Sequence, residues 1–379
     1  MSFFDTSRLA LPADEQERRQ AALERFAAEG FPGPRLESWH YSDWSALAER
    51  EFPLASAGAE PSFTLDTVQP LPLRPVHTPT PCPAFALDAL NLAFATEGVE
   101  KTLQGQAQRP FAIVQQVTGA QTMRHLRHRL ALDVGASATV LLWDAPGAGE
   151  SETLLTAVLQ LELAAGSQLR LICLQDADAA AIRALHLSAR LATDAQLELI
   201  QLDFGGRRVR QELDIHLDAP GAVFRQAGLT ALAGRSQVDQ RSHVWHNAAG
   251  CESRSDGRLI AAGRAKAVLN AKVQVQPGAA KTDSETRIAS LLLSAGAEID
   301  AKPELEIYAD DVKCAHGASF GQLDEAAAFY LRSRGLGADE ARQLLTLAFA
   351  QSVLDQLPLD GLRAWSEQKV RALLAEQPA

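Results

Sequence analysis

The sequence has no GxxxxGK(S/T) phosphate loop, no GxSxG nucleophile elbow, no HExxH pair and no GxGxxG dinucleotide fingerprint. The common local signatures of ATP hydrolysis, serine hydrolysis, zinc proteolysis and dinucleotide binding are therefore missing. Cysteine is scarce: Cys82, Cys173, Cys251 and Cys314 are the only four in 379 residues, and with no CxxC pair or disulfide-dense spacing they fit a reducing cytoplasm. Basic charge is in deficit, with 36 Lys and Arg against 47 Asp and Glu and a net charge of −11. Such a balance argues against binding a phosphate backbone, which needs a field of cations. No apolar run is long enough to span a bilayer. From Met1 to Gly30 the chain carries Asp5, Asp14, Glu15, Glu17, Glu24 and Glu29, unlike the basic start and apolar run of a secretory signal. The expectation is a cytoplasmic protein with neither membrane nor nucleic acid as a partner.

What is present divides into three regions. Residues 1–85 read as a helical region followed by a proline-rich connector: Ala22, Leu23, Phe26 and Ala27 make an apolar helical stripe that Gly30 ends, and from Glu51 to Pro83 periodicity gives way to proline. Residues 86–320 alternate apolar and polar side chains, as in Leu159-Gln160-Leu161-Glu162-Leu163, the period of half-buried strands. Turn-like positions at Gly135, Gly166, Asp194, Gly221, Gly250 and Gly278 recur roughly every 28 residues, the spacing of stacked repeats. Further strands fall between them at Leu185 to Leu191, Val209 to Leu217, Gln237 to Trp245 and Ala265 to Val275. Two strands per repeat and no helix predict a β-helix core, with a sandwich as the alternative. Residues 321–379 return to helical period: Asp324 caps a helix that Gly335 ends, a second runs from Ala338 to Leu357, and a third from about Leu362 to Glu376. In the second, Leu344, Leu347, Ala348, Gln351, Leu354 and Leu357 form a stripe that either packs within the chain or receives a partner. Because repeats are stabilised by their neighbours, removing everything after Gly321 is expected to leave the strands folded.

Chemistry-bearing residues concentrate at Lys313-Cys314-Ala315-His316-Gly317. On an extended strand Cys314 and His316 project from one face with Cα atoms about 6.5–7 Å apart, near enough to converge on one metal or cluster. Two ligands are an incomplete set, to be finished by another subunit; a buried thiol beside a satisfied histidine reads the same spacing equally well. In His243-Val244-Trp245-His246, residues three apart on a strand face opposite sides and do not chelate. His125 and His128 sit among Arg124, Arg127 and Arg129 and read as a solvated basic strand or turn. Cys173, within Leu171-Ile172-Cys173-Leu174, reads as core.

The run Lys302-Pro303-Glu304-Leu305-Glu306-Ile307-Tyr308-Ala309-Asp310-Asp311-Val312-Lys313-Cys314-Ala315-His316-Gly317, with Phe329-Tyr330-Leu331-Arg332-Ser333-Arg334-Gly335, resembles the SufB/SufD core family of iron–sulfur cluster assembly. Glu37-Ser38-Trp39-His40-Tyr41 is similar to that family's amino-terminal Glu-x-Trp-x-Tyr element. The Cys-Ala-His sequence falls on the SufD side of the family rather than the SufB side. The resemblance implies a mainly β fold, a right-handed parallel β-helix flanked by N- and C-terminal helices. It implies a non-enzymatic scaffold pairing its β-helix with SufB and docking the SufC ATPase on the C-terminal helices, so that ATP binds SufC and not this chain. His316, and less directly Cys314, are then cluster-assembly ligands for transient iron or an iron–sulfur cluster at the SufB interface. Reduced flavin is implied only for the whole complex, without a flavin motif here. Unpaired solenoid edges also allow a homodimer of the isolated chain. Two readings from other classes remain, a β-helix enzyme acting on polysaccharide and a purely structural interaction protein.

Overall fold

At all six spaced turn positions the backbone enters the left-handed region, with φ of +67° at Gly135, +66° at Gly166, +56° at Asp194, +75° at Gly221, +69° at Gly250 and +85° at Gly278. Five are glycine because a Cβ opposes that conformation; the sixth is aspartate, among the few residues that tolerate it. The computed structural model describes residues 13–55, 67–76, 80–147 and 149–373. Parts of the connector, and the last residues assigned to the third C-terminal helix, lie outside the described residues.

Between the turns run strands that pair in parallel with the strand one coil away, forming a nine-stranded and a ten-stranded sheet. The result is a parallel β-helix, each coil contributing one strand to each sheet. Coil length varies: from Met123 onward, Ile182 pairs with Arg208 in the tightest coil and Lys266 with Glu298 in the widest. Equivalent side chains stack along the axis, so the inward ladder Leu130, Leu161, Ala189, Ile215, Val244, Val273 and Leu305 runs nearly the length of the core. Alternation in the sequence thus becomes a continuous apolar column inside the coils.

The two outer faces are covered differently. On the ten-stranded sheet lie the N-terminal elements: α1 (Ala13–Glu29), a 3-10 turn at Glu37–Trp39 and α2 (Asp88–Phe94). Trp39, Trp44, Phe85 and Leu90 are buried there beside Leu154, Val158, Ile182 and Ala184. On the nine-stranded sheet lie α4 (Ala338–Leu354) and α5 (Asp360–Ala372), with α3 (Glu325–Ser333) against α4. Asp324 caps α3 as expected, its carboxylate accepting the Ala326 and Ala327 N–H groups at 2.8 and 3.1 Å. In α4 the buried positions are Thr346, Leu347, Ala350, Val353 and Leu354, while Leu344 and Ala348 of the expected stripe are exposed. The buried face is rotated because α4 is wedged between the sheet and α5, and it packs within the chain.

Leu347, Val353, Leu354, Leu357 and Val370 share one cluster with Ile172, Leu174, Ile200, Leu202 and Leu229 of the sheet. Removing everything after Gly321 would therefore bare a large apolar face on the nine-stranded sheet, a cost that repeat stacking alone does not include. No helix among the described residues is long and apolar enough to cross a membrane.

Inside one corner of the coils the apolar ladder yields to polar groups. Asp144, Gln175, Asp203 and Thr230 stack in register at the inward ends of successive strands. Asp203 accepts from Gln211 at 2.7 Å, from Thr230 at 3.5 Å and from Gln240, with no cation among these donors. Burial pushes its carboxyl up to about 7, against the opposing hydrogen bonds. The folded chain therefore holds a proton that the unfolded chain has released, and stability falls as pH rises from about 4 to about 7. Asp203→Asn, an isostere of the protonated acid, is expected to stabilise the fold at pH 8 by up to about 4 kcal/mol and to change little near pH 4. Urea unfolding at both pH values checks this; an equal effect at both would refute it.

Candidate functional site at the open end of the helix

The last coil is made by the strands Glu298–Ile307 and Lys313–Gly321, each terminal in its sheet. Among the described residues no strand pairs with their outer backbone edges and no further coil lies above their inward side chains. Leu71, Leu73 and Phe111 pack over the core at the opposite end. The asymmetry leaves one end of the apolar column uncovered.

Register places Cys314 over Ser284 and His316 over Thr286. Since Ser284 and Thr286 are buried inside the preceding coil, Cys314 and His316 share the inward face, as their two-residue spacing predicts. Cys314, like Leu305, Ala309 and Val312, is half-buried against the core, whereas His316 is exposed. The ladders ending in these residues change character along the axis. One runs Leu169, Leu197, Phe224, Ser253, Ser284, Cys314; the other runs Leu171, Leu199, Gln226, Ser255, Thr286, His316.

Below Cys314 a hydrogen-bonded chain links His246 Nε2 to Ser253 Oγ at 2.8 Å and Ser253 Oγ to Ser284 Oγ at 2.8 Å. Burial pushes His246 down to about 4, so the ring in this chain is neutral at physiological pH. Burial, followed by the Asp283 carboxylate, pushes the Cys314 thiol up. A soft metal would have to displace that proton on binding. Among the described residues no three His, Cys, Asp or Glu side chains are grouped to hold a metal. Among the described residues Cys314 and His316 are an incomplete donor pair.

Apolar surface is exposed on the last coil and on the helix that follows it. Ile307, Tyr308 and Phe320 are exposed on the last coil, and on α3, which has no buried residue, Phe329 and Tyr330 are 70% and 56% exposed. Unpaired strand edges beside exposed aromatic rings are the features of a protein-binding surface.

The other histidines and cysteines do not join the site. His243 stacks on Trp245 at 3.9 Å and bonds to Gln274, while His246 faces the interior, so the pair diverges as strand geometry requires. His125 and His128 are not solvated as expected: both are buried, and burial pushes both down to about 3. The N-terminal elements cover His125 on the outer face of the strand, where Phe94 lies against its ring, while His128, in register with Leu159, faces the interior of the coils; local composition could disclose neither. His125 meets Thr156 Oγ1 at 2.7 Å, and His128 Nδ1 accepts the Val99 N–H at 3.1 Å. Cys173 lies in the core, its thiol pushed up by burial. Cys251 is buried too, directing its sulfur at the Ala219 carbonyl.

Residues 114–349 match the family model of the SUF system FeS cluster assembly, SufBD core domain. The chain is similar to the iron-sulfur cluster assembly protein SufD of Escherichia coli K12, 28% identical over an alignment covering 91% of this chain and 89% of that protein. A SufBD family protein of Synechocystis is 38% identical over 46% of this chain and 39% of its own length. SufD of Bacillus subtilis is 36% identical over 26% of this chain and 23% of its own length.

Proposed function

This chain belongs to the SufBD family of the SUF iron–sulfur cluster assembly system, and from that premise we propose that it is a non-catalytic scaffold whose open β-helix end meets a SufB-type partner around Cys314 and His316. The observation that carries the proposal is the uncovered last coil, which presents unpaired strand edges, exposed aromatic rings and two soft-metal donors together. The cluster or its iron is cargo: His316 supplies an accessible imidazole, Cys314 a thiol one step deeper, and the partner the missing ligands. A SufC-type ATPase, which would bind the ATP, docks on the C-terminal helices, α3 offering Phe329 and Tyr330.

Packing of α4 and α5 onto the outer sheet gives movement of the helices a direct mechanical route to the coils. Phe320→Asp tests the interface. The variant is expected to keep its thermal unfolding temperature, because Phe320 is 57% exposed, yet to lose co-purification with a SufB relative. Undiminished co-purification would place the interface elsewhere.

A further inference from the structure

The polar corner of the coil interior encloses a cavity of about 20 Å³, lined by Asp144, Gln175, Arg183 and Gln211 together with Leu142 and Leu185. A space of that size admits one water molecule and little more. Leu185 points inward, in register between Ala157 and Gln211, yet it is only partly buried, so side chains do not close the packing around it.

Arg183 carries a guanidinium into this interior at 3% exposure. Its Nε donates to Asp144 at 3.0 Å. Its Nη1 donates to the Thr153 carbonyl, the Thr153 hydroxyl and the Ile182 carbonyl at 3.1, 3.1 and 3.0 Å. Its Nη2 has no hydrogen-bond partner among the described residues. Gln175, 4% exposed, stands next to Asp144 in the inward ladder. Its Oε1 accepts the Gly205 N–H at 3.3 Å, while its Nε2 likewise finds no partner among the described residues. Two buried donors thus flank one carboxylate and line one cavity. A buried donor that bonds nothing is costly, so the arrangement calls for an acceptor.

Charge decides which acceptor fits. Burial pushes the Asp144 carboxyl up to about 6, against the opposing pull of Arg183, so at neutral pH a carboxylate and a guanidinium already balance there. A bound anion would face Asp144, and a bound cation would face Arg183. A neutral molecule that accepts from two donors and donates back to a carboxylate meets neither penalty.

We propose that this cavity is a binding site for a single water molecule, which accepts hydrogen bonds from Arg183 Nη2 and Gln175 Nε2 and donates to the Asp144 carboxylate. The water completes the bonding of the Asp144–Arg183 pair. That pair joins the strand Ser137–Asp144 of the nine-stranded sheet to the strand Ile182–Leu191 of the ten-stranded sheet across the inside of the coils.

The test is a high-resolution crystal structure of the full chain at neutral pH, with further crystals soaked in bromide or pressurised with xenon. One peak with the weight of water is expected within about 2.7–3.2 Å of Arg183 Nη2 and of Gln175 Nε2. Neither bromide nor xenon should enter, since xenon occupies dry apolar voids and not hydrated polar ones. Bromide in the cavity would make it an anion site, and xenon there would make it a dry void. Either result would overturn the proposal, as would a cavity without density or one closed by protein side chains.

Discussion

Arg210→Ala is expected to cost about 3–5 kcal/mol of folding stability and to release the N-terminal segment from the sheet. Arg210 is 1% exposed and pairs with Asp239 at 2.6 Å and Glu212 at 2.8 Å. It also donates to the Ser38 carbonyl at 2.6 Å and lies 4.6 Å from the centre of the Trp39 ring. Removing it strands Asp239 and Glu212 in a covered site, and the cost of an uncompensated buried carboxylate is what makes the loss large. Lysine should rescue poorly, since a single ammonium cannot bond both carboxylates and the carbonyl in that plane.

The same arginine accounts for the amino-terminal Glu37-Ser38-Trp39-His40-Tyr41 element. Ser42 donates to Asp239 at 2.5 Å, Gln237 donates to the Tyr41 carbonyl at 3.1 Å, and Trp39 is fully buried. The element is a clasp that fastens the N-terminal segment to the strands. Urea unfolding and limited proteolysis between Glu37 and Trp44 read the two effects together. A variant that lost under about 1 kcal/mol and stayed protected there would show that Arg210 is not the fastening.

The repeating features of this fold were legible in the sequence because each depends on a local constraint. Left-handed turns require glycine or a tolerant aspartate, so their spacing reports the coil, and strict alternation reports the inward ladder. The cap at Asp324 and the stop at Gly335, where φ is +99°, are likewise properties of a few neighbouring residues. Features set by contacts between distant segments were not legible. The burial of His125 depends on residues before position 100 covering the sheet, that of His128 on its stacking over Leu159 inside the coils, and the buried face of α4 on α5.

A sequence signal for the interior polar corner did exist. Leu141-Leu142-Trp143-Asp144 and Leu199-Ile200-Gln201-Leu202-Asp203 each end with a carboxylate at inward parity, but one such residue reads as a strand end until register stacks it on the next. Of the candidate site, the shared face of Cys314 and His316 followed from spacing. Their position on the last, uncovered coil did not, since it depends on where the stack ends.

The account rests on His316 as an accessible ligand at that uncovered end, and cluster assembly by the complex reconstituted from this chain with SufB- and SufC-type partners measures it most directly. With His316→Ala, iron and sulfide bound per complex are expected to fall at least about ten-fold, since losing even an outer-shell partner of a metal ligand commonly costs that much affinity. The variant chain should unfold at the parent temperature and capture both partners as before, because His316 is exposed and its side chain makes no bond among the described residues that its loss would break. A His316→Ala complex that assembled iron and sulfide at the parent yield would contradict the account and leave the open coil as a surface for binding protein alone.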